Sequence, residues 1–84
     1  MAELAGVYRW AIAITPSDTQ LLSRPCDALW VVGATSGQLT IVDHAGNTTT
    51  IPGLTNTQGM LVPIGAKKIM ATGTTVSGVL ALYL

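Results

Sequence analysis

Residues able to do acid–base, nucleophilic or metal chemistry are few in this sequence. The 84 residues include one histidine, His44, one cysteine, Cys26, four acidic and four basic residues. His44 follows Asp43, but neighbouring strand residues point to opposite faces, and in a tight turn both point into solvent. Catalytic triads are constellations in space, so His44 is interpreted as a solvated turn residue. The sequence predicts no catalytic residue and no enzyme.

The single cysteine, Cys26, lies between Pro25 and Asp27, with Arg24 as the only nearby cation. A reactive thiol needs surroundings that stabilise the thiolate, so Cys26 is expected to be a half-buried small hydrophobic residue. One cysteine excludes an intrachain disulfide and a cysteine cluster for zinc or iron–sulfur. Since the acids are also scattered, no metal and no cofactor are expected.

Two weaker signals for ligand binding remain. Gly73 and the threonines around it resemble a phosphate loop only superficially, because no Lys-Ser/Thr pair follows. Trp10 and Trp30 could stack on a sugar ring, yet in a chain without phenylalanine they are also the largest core fillers. The core or a subunit interface is the favoured position for both tryptophans, and a carbohydrate platform is the alternative.

Short apolar runs, many β-branched residues and frequent turn residues predict strands rather than helices. We expect a single domain over residues 1–84, all-β, as a small antiparallel sandwich or barrel of about seven strands, with at most a helical turn at 2–4. In the first strand large side chains alternate with small ones, and both faces are expected to be at least partly covered. The strands are predicted at about 7–15, 28–33, 37–43, 48–52, 59–64, 67–71 and 77–83.

One hairpin is the most secure of the predicted connections. Residues 38–43 and 48–52 flank the sequence Asp43-His44-Ala45-Gly46-Asn47, in which Gly46 and Asn47 tolerate positive φ. Leu39 and Ile41 should share one apolar face, with a hydroxyl-rich face opposite.

Length and charge together favour self-association. A domain of this size buries a modest core and usually needs a disulfide, a metal or oligomerisation, and the first two are excluded. Charged residues are 10% of the chain against about 25% in typical soluble domains. We therefore expect a homo-oligomer, with a trimer as the first choice.

Several other partners are not expected. No run approaches the roughly 18 apolar residues of a membrane-spanning helix, and no secretion signal is recognisable at the N-terminus. Lys67 and Lys68 are the only adjacent bases in a chain of zero net charge, which argues against nucleic acid.

Much of the chain resembles the small spike-base proteins on the heads of tailed bacteriophages and gene transfer agents. The resemblance lies in residues 11–19 (AIAITPSDT), 24–33 (RPCDALWVVG), Gly46, 60–64 (MLVPI), 71–75 (ATGTT) and 81–83 (ALY). It departs from that pattern at Cys26-Asp27 and in its short N-terminal segment. The resemblance implies a compact, commonly trimeric β domain that docks on the capsid in the virion, after assembly in the host cytoplasm, and presents a fibre or spike.

The resulting hypothesis is a virion structural protein whose partners are itself, the major capsid protein and a fibre or spike protein. The residues predicted to lie in the core or at a subunit interface are Trp10, Ile12, Ile14, Trp30, Val32, Leu39, Ile41, Leu80 and Leu82. The alternatives are a capsid decoration (cement) protein, a carbohydrate- or ligand-binding β module using Trp10 or Trp30, and a subunit of a cytosolic enzyme complex.

Overall fold

The structure, a computed structural model, describes residues 8–84, which form seven strands and no helix. The strands are β1 Trp10–Ala13, β2 Ala28–Val32, β3 Leu39–Asp43, β4 Thr48–Ile51, β5 Met60–Val62, β6 Ala66–Ile69 and β7 Gly78–Tyr83. The predicted all-β class is confirmed, and each predicted segment overlaps one strand. The possible turn at 2–4 and the predicted strand start at Val7 lie outside the described residues. Within residues 8–84 no helix could cross a membrane.

The strands form two antiparallel sheets. The large sheet has the order β1-β7-β2-β5, and the small sheet has the order β4-β3-β6. The last strand of the chain, β7, lies between β1 and β2, so the N-terminal and C-terminal parts of the described chain meet in one sheet. The bond from the Cys26 N–H to the Ala66 carbonyl (2.8 Å) links the chain just before β2 to β6 of the small sheet.

The core lies between the two sheets. Leu29 and Val31 of β2 are fully buried, while Trp30 between them points to the opposite face and is exposed. The small sheet contributes Leu39 and Ile41, also fully buried. Each such aliphatic side chain contributes roughly 1.5–3 kcal/mol when it leaves water. In β2 and β3, therefore, every second residue faces inward, and these few residues form the core between the sheets.

The predicted hairpin is β3–β4, with Leu39 opposite Ile51 and Val42 opposite Thr48. The Asp43 carboxylate accepts hydrogen bonds from the Ala45 and Asn47 backbone N–H groups (3.0 and 2.9 Å), which fixes the turn. Gly46 has φ +91°, the left-handed conformation that glycine adopts most readily. Asn47 was expected to share this role, and that expectation is wrong, because no residue other than glycine has positive φ in the described chain.

The other face of β3 is covered by the turn that precedes β7. The Thr40 hydroxyl donates to the Gly73 carbonyl (3.2 Å), and the Thr74 hydroxyl accepts a bond from the Thr40 N–H (3.0 Å). Gly73 has φ +87°, and a Cβ there would lie 2.5 Å from the Thr40 Oγ1. Thr40 is consequently buried although it lies on the hydroxyl-rich face.

The first strand is shorter than predicted. It spans four residues instead of nine, and all four are exposed, although Trp10 and Ile12 stay more than half covered, in keeping with the expected partial covering. The reason for the exposure is its position at the edge of the large sheet, paired with β7 on one side alone. An edge strand is expected to expose more of its side chains than a central one, whichever face they occupy.

Candidate assembly surface

Within the strand bounds the outer face of the large sheet carries no polar side chain, while Arg9 and Thr15, which flank β1 in the same alternation, are polar and exposed. In every strand of this sheet the residues that alternate with the core residues are aliphatic, aromatic or glycine, and the register places them side by side. We call this side of the sheet the apolar face; it consists of Ala11, Ala13, Ala28, Trp30, Val32, Leu61, Gly78, Leu80 and Leu82, of which Ala28 is buried and Val32, Gly78, Leu80 and Leu82 are half-buried. Antiparallel sheets commonly have one solvated, polar face, so this one departs from the usual pattern.

The centre of the apolar face is Trp30. Its cross-strand neighbours are Leu80 on β7 and Leu61 on β5. Trp30 is 37% exposed and Leu61 is 41% exposed, while Leu80 is half-buried. These three side chains form a row across the sheet, and large apolar cross-strand pairs of this kind stabilise a sheet by a few tenths to about 1 kcal/mol each.

The Trp30 ring lies against the backbone of Gly59. A Cβ built on Gly59 would lie 2.4 Å from the Trp30 Nε1 and 2.7 Å from its Cε2. Gly59 also has φ +100°. The glycine therefore has two functions: it makes the turn into β5 and it leaves room for the indole to lie across the strand end.

The second exposed aromatic side chain, Trp10, lies on the face of β1 opposite to Ala11 and Ala13. Trp10 is 44% exposed, and its ring stacks on Tyr83 with centroids 5.9 Å apart. The Arg24 guanidinium lies over both rings, 4.9 Å from the Trp10 centroid and 4.8 Å from that of Tyr83. Such cation–π contacts contribute about 0.5–1 kcal/mol at exposed sites. Tyr83 itself is buried, and its hydroxyl donates to the Arg24 carbonyl (2.8 Å).

A cavity of about 230 Å³ opens beside this stack. It lies between β1 and the segment 20–23. Aliphatic residues such as Ile12, Ile14, Leu22 and Ile69 line it together with the polar residues Thr15, Gln20, Ser23 and Tyr83. Leu21, at its rim, is 56% exposed.

The residues predicted for the core or an interface divide into three groups. Leu39 and Ile41 lie in the core, and Ile14 packs against it while partly buried. Trp30, Val32, Leu80 and Leu82 lie together on the apolar face. Trp10 and Ile12 are exposed on the face of β1 opposite to Ala11 and Ala13. For these six surface residues the structure of one chain excludes a core position, and the subunit interface stays a prediction.

The candidate catalytic side chains are not assembled into a site. Cys26 was expected to be half-buried and is fully buried, and burial raises the pKa of its thiol. His44 is exposed, with its Nε2 2.9 Å from the Cys26 carbonyl oxygen. This backbone contact is compatible with an imidazole N–H donor and links the hairpin to the start of β2. Among residues 8–84 no three His, Cys, Asp or Glu side chains are grouped to hold a metal.

One polar contact was not recognised from the sequence. The Asp18 carboxylate accepts hydrogen bonds from the Thr72 N–H (2.8 Å) and the Thr72 hydroxyl, joining two turns that are 54 residues apart. These bonds hold the pKa of Asp18 below its ordinary value. No sequence pattern specifies a partner 54 residues away.

Neither a protein-family model nor a curated protein matches the chain. Among solved structures, a chain in the capsid of a native gene transfer agent (GTA) particle, computed with C5 symmetry, matches it with a TM-score of 0.74. The two chains are 32% identical over an alignment that covers 94% of this chain and 87% of that one. The fold and this match together define a small all-β structural protein of the capsid-associated class. The chain belongs to the same family as that GTA capsid chain.

Proposed function

We propose that the chain is a virion structural protein that docks on the capsid as the base of a head spike and presents a fibre or spike. The observation that carries the proposal is the 32% identity to a GTA capsid chain over 94% of this sequence. The resemblance of residues 11–19 and 24–33 to spike-base proteins supports the finer assignment. Its partners would be further copies of itself, the major capsid protein and the fibre or spike protein, with neither nucleic acid nor membrane bound directly.

The proposed role includes no catalysis. The thiol of Cys26 is buried, and the exposed His44 has a backbone carbonyl for its neighbour rather than an acid or a nucleophile. His44→Ala and Cys26→Ala should therefore leave particle assembly unchanged apart from modest effects on stability. Loss of an activity in either variant, with the fold intact by circular dichroism, would reveal a site that this proposal lacks.

Copy number separates the spike base from a capsid decoration protein of the same fold. Particles purified from producing cells would be digested, and this chain and the major capsid protein quantified by mass spectrometry against isotope-labelled peptides. A spike base should be present at a small multiple of the number of capsid vertices. A ratio approaching that of the major capsid protein would support the decoration role and refute the spike base.

The copies per spike are a second quantity to measure. The sequence-based expectation is a trimer. Native mass spectrometry of the isolated protein gives this number directly. A stable, well-folded monomer at micromolar concentration would contradict self-assembly altogether.

The exposure of Trp10 and Trp30 favours a second candidate, a carbohydrate-binding module. Exposed aromatic rings can stack on pyranose rings, and Arg24 beside Trp10 could donate hydrogen bonds to sugar hydroxyls. A glycan array separates the candidates. A Trp10→Ala variant that stays folded and oligomeric but loses glycan binding would support the module, and an array without signal would exclude it.

A further inference from the structure

We propose that residues 17–23 form a strap that opens as one unit while both sheets stay folded, and that the Asp18 side chain is the latch that holds the strap closed. The strap lies in the connection between β1 and β2 and runs along the outer edge of β6. This device belongs to the domain itself and does not depend on the function proposed above.

The chain is fixed at both ends of the strap. On the β1 side the Ile14 N–H donates to a carbonyl of β7 (3.0 Å), and on the β2 side the Cys26 N–H donates to a carbonyl of β6 (2.8 Å). Pro16 and Pro25 lie just outside the strap at its two ends. Proline fixes its own φ and restricts the residue before it, so both ends are stiff. Movement is therefore confined to the residues between these two anchors.

The strap covers the edge of β6 with fewer bonds than a strand would. β6 is an edge strand of the small sheet, with β3 on its inner side. The Ser17 N–H donates to the Ile69 carbonyl, and the Leu22 N–H donates to the Lys67 carbonyl (both 2.9 Å). Between these two bonds the strap advances five residues while β6 advances two. A paired antiparallel strand would advance residue for residue, so the strap is held at two points and not along its length.

The strap also has little buried surface to hold it down. Five of its seven side chains are exposed, and Leu22, which is partly buried, packs against the core. The cavity of about 230 Å³ lies on its inner side, between residues 20–23 and β1. Segments with few buried contacts and exposed hydrogen bonds open locally at a lower free energy than the whole domain. The strap therefore has the properties of a segment that opens by itself.

Asp18 ties the strap to the turn that precedes β7. Its carboxylate accepts hydrogen bonds from the Thr72 N–H (2.8 Å) and the Thr72 hydroxyl, and its backbone carbonyl accepts one from the Lys68 ammonium (3.0 Å). The turn is itself fixed to β3, because the Thr40 N–H donates to the Thr74 hydroxyl (3.0 Å). Hydrogen bonds to an ionised carboxylate are about twice as strong as those between neutral groups. Loss of the charge on Asp18 therefore loosens the strap.

The latch responds to pH in one direction. In the described chain the charged group that faces Asp18 is Lys68 on β6, while the strap and the turn 72–75 bring only hydroxyl, amide, apolar and backbone groups. The bonds from Thr72, and to a smaller extent the charge of Lys68, hold the pKa of Asp18 below its ordinary value of 3.8. Closure is thus stabilised above that value and loses this stabilisation as pH falls through the pKa of the closed state. At neutral pH the strap keeps the edge of β6 covered, and an uncovered strand edge is a template for pairing with another chain.

Amide hydrogen exchange followed by NMR tests whether the strap opens as a unit. Ser17 and Leu22 provide the strap amides; Ile14 and Met70, whose N–H groups donate to carbonyls of β7 and β3, provide the sheet amides. At neutral pH the two strap amides should give equal opening free energies, lower than those of the sheet amides. If all four amides opened together, or if the strap amides differed from each other or had no protection, the proposal would be overturned.

The latch is tested with Asp18→Asn and Thr72→Val, and Asp43→Asn is the matched control, since the Asp43 carboxylate also accepts two bonds but within the β3–β4 turn. The first two variants should lower the protection factors of the strap amides about threefold to tenfold, the range of one net hydrogen bond, and leave the sheet amides unchanged. Asp43→Asn should leave the strap amides at the wild-type level.

The wild type itself gives a measurement that needs no folded variant. Between neutral pH and about pH 3 its strap amides should lose protection, after correction for the intrinsic exchange rate, while its sheet amides keep theirs. In Asp18→Asn the strap amides should show no such loss. Wild-type protection of the strap in Asp18→Asn, or strap protection that is independent of pH in the wild type, would overturn the latch and with it the proposal.

Discussion

Gly59 is the residue whose replacement distinguishes backbone strain from side-chain packing. Glycine at φ +100° avoids a cost of about 1–2 kcal/mol that other residues pay in left-handed conformations. Its missing Cβ also leaves space for the Trp30 ring. The two effects coincide at this position, whereas Gly53, at φ +75°, has nothing within 4 Å of its Cβ position.

We predict that Gly59→Ala destabilises the fold more than Gly53→Ala. Both variants incur the backbone cost, but only at Gly59 must the Trp30 indole also move, at an overpacking cost of about 1–3 kcal/mol. Urea unfolding of the two variants measures the difference. Equal losses of unfolding free energy would mean that the Trp30 ring is not held against this backbone.

A second prediction contrasts Ile41 with Trp30. Ile41 is fully buried, so Ile41→Ala should cost about 2–5 kcal/mol and leave little folded protein in so small a domain. Truncating a fully buried tryptophan to alanine typically costs about 3–5 kcal/mol. Because Trp30 is 37% exposed in one chain, Trp30→Ala should cost less than Ile41→Ala in unfolding free energy and should weaken association instead.

These variants would be compared at a concentration low enough for the wild type to dissociate, since association adds to apparent stability. Chemical denaturation gives the unfolding free energy and sedimentation gives the oligomeric state. If Trp30→Ala proved as destabilising as Ile41→Ala in the monomer, the exposed position of Trp30 would be wrong.

At the scale of elements, the Asp18–Thr72 contact joins the turn after β1 to the turn before β7. The pKa of Asp18 is lowered, chiefly by the hydrogen bonds from Thr72. A carboxyl whose pKa is lower in the folded state stabilises the fold above its unfolded pKa, near 3.8, and this stabilisation is lost as pH falls through the folded value.

We therefore predict that acid weakens the wild type more than an Asp18→Asn variant. Between neutral pH and about pH 3 the urea midpoint of the wild type should fall further than that of the variant, because the variant has no carboxyl to protonate at this position. The variant should be the less stable of the two at neutral pH, since it keeps at best weaker, neutral bonds to Thr72. Parallel pH profiles would contradict the assigned role of this carboxylate.

The elements themselves were largely predictable, because period-two apolar patterns and turn residues are local properties of the sequence. The hairpin 38–52 was predictable for the same reason, since Asp43 and Gly46 act within its own turn. The insertion of β7 between β1 and β2 was not, because sheet order depends on contacts between distant segments. Neither was the Asp18–Thr72 contact.

The exposed position of Trp30 could also not be predicted, but for a different reason. Leu29, Trp30, Val31 and Val32 are all apolar, so their alternation gives no sign of which face of β2 is the core. An unbroken apolar strand usually signals burial on both faces. In the part of the chain that the structure describes, Trp30 on the outer face stays exposed, and burial of that face in an assembly remains a prediction.

At the scale of the whole molecule, the two sheets expose surfaces of different polarity. Within its strand bounds the large sheet has an outer face without polar side chains, and β4 of the small sheet exposes a row of threonines. Two surfaces of different polarity are consistent with the proposed role of a virion subunit that contacts copies of itself and other virion proteins.

Cryo-electron microscopy of the native particle tests the central claim most directly. Localised reconstruction of the capsid surface should show the seven-stranded domain on the outside of the shell, with a fibre or spike above it. Purified, intact particles whose reconstruction contains no density for this domain, and whose protein content lacks this chain, would contradict the assignment to the virion.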